Sequence, residues 1–279
     1  MLDDRLLDQI EALEPLPITA QRLITVLADE DVSFQQIVEI VEHDPAVASN
    51  LMRLANSPIY GGRFRIERLR DAVVRLGAMP LLDIALGGFL RKLGSSAPLY
   101  DLPEDELWLH SAVASLATQE VARVAHVAVP ATAGIAALVH DIGKLIMSRY
   151  SRAEARTVVD ACIERNLTFI EAERALLGCD HAEIGGAVAR RWGFPAAVIE
   201  AIEGHHDCPI AAGAVVLDVV VTANFAAKTI GVGLGAEGLN LKIDQGCLRR
   251  LEIDFDGFCA ICARTASRTV ELKKAYGLA

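Results

Sequence analysis

The stretch GIAALVHDIGKLIM, residues 134–147, sets His140, Asp141 and Lys144 inside an otherwise apolar run. A polar or charged group taken out of water needs a partner or a changed protonation state, so this run requires an explanation from elsewhere in the chain. Working outward from it, apolar residues recur at helical spacing almost everywhere, as in LLDQIEAL, FQQIVEIVEHD and ASNLMRLAN, and sustained period-two alternation is nearly absent. The pattern predicts an all-α, multi-helix bundle of about fourteen helices, cut by Gly, Pro, Ser and Asn at LEPLPIT, SPIYGG, RLGAMP and RWGFP.

At 279 residues the chain is long enough to bury a large core, as one domain or as two packed together. The softest connection is LGSSAPLYDLPEDE, where small, polar and proline residues separate two apolar segments, and it divides the chain into residues 1–98 and 99–279. A formal charge of −10, from 27 basic and 37 acidic residues, disfavours general attraction to nucleic acid or to an anionic membrane surface. The opening MLDDRLLDQIEALEP is acidic and amphipathic and has no secretory pattern, which predicts a cytoplasmic protein. The longest apolar run, PIAAGAVVLDVVVTANFAA, carries Asp218 and Asn224 and reads as a buried helix of a soluble fold. The six cysteines show no regular framework and are expected as free thiols, Cys259 and Cys262 included.

One helix junction can be read residue by residue in DHAEIGGAVARRWGFPAAVIEAIEGHHD, residues 180–207. Asp180 suits an N-cap with Glu183 completing a capping box, Gly193 a helix stop, and Pro195 the start of the next helix. Antiparallel packing of the two helices brings His181 to the end that carries His205 and His206. Gly185 and Gly186 predict close approach by another backbone.

Five of the seven histidines, His110, His140, His181, His205 and His206, lie at helix ends or in apolar runs, and two acids in such runs, Asp141 and Asp218, join them. A lone histidine on an apolar face is usually a satisfied core residue. For the set, one divalent cation would offset the desolvation of several neutral imidazoles and a carboxylate at once.

The order His110, HDIGK, His181, the doublet His205–His206 and Asp218 resembles the HD superfamily of metal-dependent phosphohydrolases. Within it the chain is similar to the HDOD family of bacterial signalling domains. That likeness extends to LPITAQRLITVLADED, IVEHDPAVASNLMRLANSPIYGG and LRDAVVRLGAMPLLDIALG in the first half. The resemblance implies an HD-like helical pocket with an amino-terminal helical subdomain packed on it. It further implies that His110, His140, Asp141, His181, His205, His206 and Asp218 ligate metal, Asp141 bridging two ions, and that Lys144 faces substrate phosphate, making Asp141 and Lys144 the catalytic pair. The mixed imidazole and carboxylate set suits a transition metal, and the superfamily favours a binuclear iron or manganese centre over nickel, cobalt or zinc.

Spacing adds two expectations. Lys144 and His140, four apart, share a face of one continuous helix, whereas His205 and His206, about 100° apart on a helix, serve different metals or leave one outside the coordination shell. The chain lacks the glycine-tyrosine-proline segment of HD-GYP phosphodiesterases, reading HHDCPIAAGAVVLD at that place. The leading expectation is therefore a regulatory module whose metal site controls a signalling partner, the alternative being a phosphohydrolase acting on a nucleotide or other phosphate ester. Of the remaining features, His43–Asp44 reads as a helix cap before Pro45. Arg63, Arg65, Arg68 and Arg70 read as a solvated face or a phosphate-binding patch.

Overall fold

The computed structural model describes all residues except 1, 3, 30, 58–59, 61–63, 94–97, 103–104, 151–154, 207–213, 236–244 and 277–279. Among the described residues there are sixteen α-helices and no β-strand, in agreement with the helical periodicity. The first part of the chain forms α1 (Asp4–Glu11), α2 (Ile18–Leu27), α3 (Phe34–Glu42), α4 (Pro45–Ala55), α5 (Leu69–Leu76) and α6 (Ala78–Leu93). Their boundaries follow local chemistry. Ser33 and Gln36 close a capping box on α3, and the Asp44 carboxylate accepts from the amides of Ala46 and Val47 at 3.1 Å each, with Pro45 in the first turn of α4. Asp44 is thus a cap, as the sequence predicts, and His43 is exposed, with Nδ1 bonded to the Glu39 carbonyl.

The second part forms α7 (Glu106–Val124), α8 (Thr132–Val139), α9 (Ile142–Tyr150), α10 (Ala155–Arg165), α11 (Phe169–Leu177), α12 (His181–Arg191), α13 (Ala196–Gly204), α14 (Val215–Thr229), α15 (Gln245–Arg250) and α16 (Phe255–Tyr276). At its centre α7 packs against both α8 and α14, and most positions of α7 and α14 are buried. Helices buried on all faces are continuously apolar rather than striped, and these two follow that pattern. Helix α16 lies over α7 and α14 and covers the carboxy-terminal core. One apolar cluster runs without a break from Ile10 to Leu272, and α6 of the first part is in contact with α7 and α8 of the second.

No single helix among the described residues is long and apolar enough to cross a membrane; α5 and α6 reach that composition only together, across a 102° bend. Arg65, Arg68 and Arg70 are exposed, and Arg63 lies outside the described residues. Cys162, Cys179, Cys259 and Cys262 are free thiols, but Cys247 is disulfide-bonded, which corrects the expectation of free cysteines throughout. Cys208 lies outside the described residues. Burial pushes the Cys262 thiol up to about 11, which disfavours its thiolate and with it redox chemistry at the Cys259–Cys262 pair.

Candidate metal centre

The run 134–147 is not one continuous helix. Helix α8 ends at Val139 and α9 begins at Ile142, so His140 and Asp141 occupy the break, at 0% and 1% exposure. Lys144 does not share a continuous face with His140, as the sequence suggested. It sits in the first turn of α9 and reaches back to Asp141, with Nζ 2.7 Å from Oδ2. Gly143 lets this turn press onto α12, because a Cβ there would run into the His181 carbonyl and lie 2.7 Å from the Gly185 nitrogen. Gly185 is the reciprocal partner, so the backbone approach expected at the glycine pair occurs at Gly185, between α9 and α12, whereas Gly186 makes room for the Glu203 side chain instead. Gly143→Ala is therefore expected to destabilise by about 3 kcal/mol, at the upper end for overpacking. Gly88→Ala on α6, where a Cβ meets nothing within 4 Å, is expected to be neutral or stabilising by about 0.5 kcal/mol. Urea midpoints of the two variants check the contrast.

The α12–α13 junction forms as the sequence predicts except that the capping box is half made, the Asp180 side chain capping α12 without the return bond from Glu183. Asp180 caps α12 by accepting from the Glu183 amide at 2.8 Å, and Gly193 turns the chain at φ +74°. The two helices bring His181 to the doublet, its Nε2 lying 2.9 Å from Nε2 of His206. The doublet itself departs from expectation. Helix α13 ends at Gly204, so His205 is its C-cap and His206 lies beyond it, and the regular 100° offset does not apply. Both rings turn to the same side, and one nitrogen from each comes within 4.8 Å of one from His181 and an oxygen of Asp141.

Two groups of donor atoms share Asp141: Asp141, His181, His205 and His206 form one, and His110, His140 and Asp141 the other. The hydrogen bonds of the rings fix their tautomers. Nδ1 of His140 donates to the Ala137 carbonyl at 2.8 Å, that of His205 to Ile202 at 2.6 Å, and that of His110 to Val232 at 3.0 Å. Each of these rings, when neutral, therefore carries its lone pair on Nε2. Those Nε2 atoms stand 3.3–3.5 Å from the Asp141 oxygens. Nε2 of His140, Nε2 of His205 and Oδ1 of Asp141 are buried without a hydrogen-bond partner. Lone pairs facing a carboxylate across such distances repel unless a proton or a cation lies between them. Burial supplies the reason that a proton does not: it holds His110 down to about 3 and His205 to about 4, and moves His206 in the same direction. The arrangement therefore fits a divalent transition ion, which prefers neutral imidazole with a carboxylate.

His181 differs from the other rings. Its Nδ1 donates to Glu173 at 2.8 Å, and the same carboxylate accepts its backbone amide at 2.9 Å. Burial lowers His181, but the charge and hydrogen bond of Glu173 outweigh it and the net shift is upward. A carboxylate behind a ligating imidazole fixes its orientation and raises its basicity. Asp141 shows the opposite balance: burial raises it, while His140 and Lys144 bring it well below the usual carboxylate range.

Three features of the site escaped the sequence. Asp218 does not reach the cage; it forms a two-point ion pair with Arg250, at 2.6 and 2.8 Å, and belongs to neither donor group. Six residues on, about 240° round α14, Asn224 takes the inward place, its Oδ1 3.1 Å from Nε2 of His110. Glu173 was missed although it stands seven residues before Asp180, in a segment read only as helix. Tyr100, from the short 3₁₀ turn at Pro98–Tyr100 inside the proposed linker, is fully buried. Its ring lies 5.3 Å from the Lys144 ammonium and edge-on to His181.

The HDOD domain model matches residues 13–208, from α2 through the histidine doublet. The chain belongs to the HDOD family. Among solved structures it is similar to an HDOD domain protein of unknown function from Geobacter sulfurreducens, at 26% identity and a TM-score of 0.73, over 97% of this chain and 96% of the other. The fold recurs in a protein from Marinobacter aquaeolei assigned to signal transduction, at 23% identity and a TM-score of 0.76, over 100% of this chain and 62% of that one. It recurs again in a protein from Shewanella amazonensis assigned as a metal-dependent phosphohydrolase, at 24% identity, a TM-score of 0.54 and coverage of 94% and 95%. An uncharacterized protein of Treponema pallidum is 25% identical over 205 residues, and this chain spans 39% of its length. This HDOD chain thus combines the family's fold with a buried His/Asp cluster of metal-binding composition.

Proposed function

We propose that this HDOD protein is a cytoplasmic regulatory module in which a bound divalent transition metal, iron or manganese, sets the packing recognised by a signalling protein partner. One observation carries the reading: neutral imidazoles from separate helices, their N–H ends tied to carbonyls, aim unsatisfied Nε2 atoms at a single buried carboxylate. An ion at that place would draw α8, α12 and α13 onto one point, linking metal occupancy to the arrangement of the second part of the chain. The division at residues 98 and 99 would then set α1–α6 as the part that reports on it. The assignment of the Marinobacter aquaeolei protein to signal transduction supports this context.

A metal-dependent phosphohydrolase, with Asp141 and Lys144 as its catalytic pair, is the second reading. A crevice lined by Arg91, Asp105, Trp108 and Asp141 favours it, since it places a cationic side chain and the carboxylate on the walls of one cavity. The burial of Lys144, at 0% exposure and bonded to Asp141, favours regulation, because its ammonium is engaged inside the protein rather than presented to a phosphate.

The test is metal analysis of protein grown in iron- and manganese-replete medium and purified without chelator, followed by a phosphodiester and phosphomonoester panel. The regulatory reading expects stoichiometric metal and no turnover above that of Asp141→Asn. Turnover that disappears in Asp141→Asn would establish the hydrolase instead, and folded protein that takes up no metal removes both readings.

A further inference from the structure

Away from the metal cage, Oδ1 of Asp83, Nε1 of Trp108 and the Tyr276 hydroxyl are buried without a hydrogen-bond partner, and they belong to one contact. Asp83, Gly87 and Arg91, spaced four apart, form a stripe along α6. A Cβ at Gly87 would stand 3.0 Å from the Trp108 Nε1, so this stripe lies against Trp108 of α7. Tyr276 of α16 meets the same indole edge-on, with 4.7 Å between ring centroids. Burying polar groups unpaired is unfavourable, so the closure of α6 on α7 and α16 carries desolvation costs that the apolar packing around it does not.

Asp83 carries the largest of these costs, because it alone can be charged. It is 6% exposed, and the cation on its own stripe is engaged elsewhere. Arg91, about two turns on, lies over the Trp108 ring at 5.2 Å, donates to the Gly87 carbonyl at 3.3 Å and stands 3.7 Å from Asp105. The other titratable groups of the neighbourhood are Arg53 of α4, Tyr60 beyond it, and Arg268, Glu271 and Tyr276 of α16; the charge of Asp83 is felt at both phenols. None of these, and no charged group on α2, α5, α7 or α8 among the described residues, offsets the burial of Asp83, which pushes its carboxyl up to about 8. Burial moves both phenols upward as well, so neither titrates in that range.

We propose that Asp83 is a proton-operated latch: as a carboxylic acid it lets α6 close on Trp108 and Tyr276, and as a carboxylate it releases that contact. The latch is separate from the metal cage and does not depend on it. Once the contact opens, the carboxyl meets water and returns to its ordinary value of 3.8, so opening releases a proton between that pH and about 8. What protonation contributes to closure is complete below pH 3.8 and is lost as the pH rises to about 8. Opening thus becomes about tenfold easier per pH unit across the window and levels off above it. Since α6 packs on α2, α4 and α5 as well as on α7 and α8, the latch makes the docking of the amino-terminal helices sensitive to pH.

Hydrogen exchange of backbone amides, with chelator present, compares the wild-type chain with Asp83→Asn, which keeps the shape of the side chain and cannot ionise. From about pH 6 to about pH 8, protection of α6 and of the end of α16 is expected to fall about a hundredfold in the wild-type chain relative to the variant. Helix α13, which packs on α8, α12 and α14, is expected to show no such difference. Infrared spectra of the wild-type chain at neutral pH are expected to contain the carbonyl band of a protonated carboxylic acid, lost above about pH 9, and that measurement needs no variant. A protection ratio that stays constant with pH, a loss shared equally by α13, or a wild-type spectrum without the band would each overturn the latch.

Discussion

Asp141→Ala is expected to lower the stability of the metal-free protein by about 3–5 kcal/mol, the range for removing one partner of a buried ion pair. Asp141 and Lys144 are both essentially inaccessible and 2.7 Å apart. Removing the carboxylate leaves the Lys144 ammonium in that interior without this ion pair. The cost comes from the remaining charge more than from the lost contact. The double variant Asp141→Asn, Lys144→Met removes both charges at nearly constant volume and is expected to recover more than half of the loss. Urea unfolding in the presence of chelator, at neutral pH, measures both. A loss under about 1 kcal/mol in Asp141→Ala would show that Lys144 is neutralised some other way. Metal uptake is expected to be abolished in either variant, since Asp141 belongs to both donor groups.

Acid is expected to unfold the metal-free protein well above the pH at which carboxylates titrate. His205 is held at about 4 and His110 at about 3 by burial, against an ordinary value of 6.5. The sign follows from linkage: the unfolded chain takes up protons on these residues below pH 6.5 and the folded one does not. Their contribution is complete above pH 6.5 and is lost as the pH falls toward 4, amounting to about 3 kcal/mol for His205 alone. His181 works in the opposite sense. Glu173 raises it, so its contribution is present below the ordinary histidine value and is lost as the pH rises through the higher folded one. Metal competes with that proton, and binding is expected to release it. Unfolding free energies measured from pH 7.5 to 4.5, with chelator and with manganese, test the scheme. A flat metal-free profile below pH 6.5 would contradict it, and manganese is expected to raise stability most at the upper end of the range.

What could be read from the residues alone is what local chemistry controls. Helical period, the Asp44 and Asp180 caps, the Gly193 turn and the glycine contact at Gly185 each depend on neighbours within a few positions or on the absence of a Cβ, and all formed as expected. The gathering of His110, His140, Asp141, His181, His205 and His206 followed from the same signals together with the family likeness. What depended on how far a helix continues was misjudged: α8 stops before His140 and α13 before His205, and those breaks, not helical angles, aim the side chains.

The tertiary structure alone decided which side of a wholly buried helix faces the site. On α14 apolar residues occupy every face, so periodicity carries no rotational information; the family likeness pointed to Asp218 as the inward group, whereas packing against α7 turns Asn224 toward His110 and gives Asp218 to Arg250. Glu173 and Tyr100 belong to the same class. Tyr100 reaches the cage from an element distant in sequence, through the contact of the Pro98–Tyr100 turn with α9, and the turn between α11 and α12 folds Glu173 back behind His181, a step that helical periodicity does not encode.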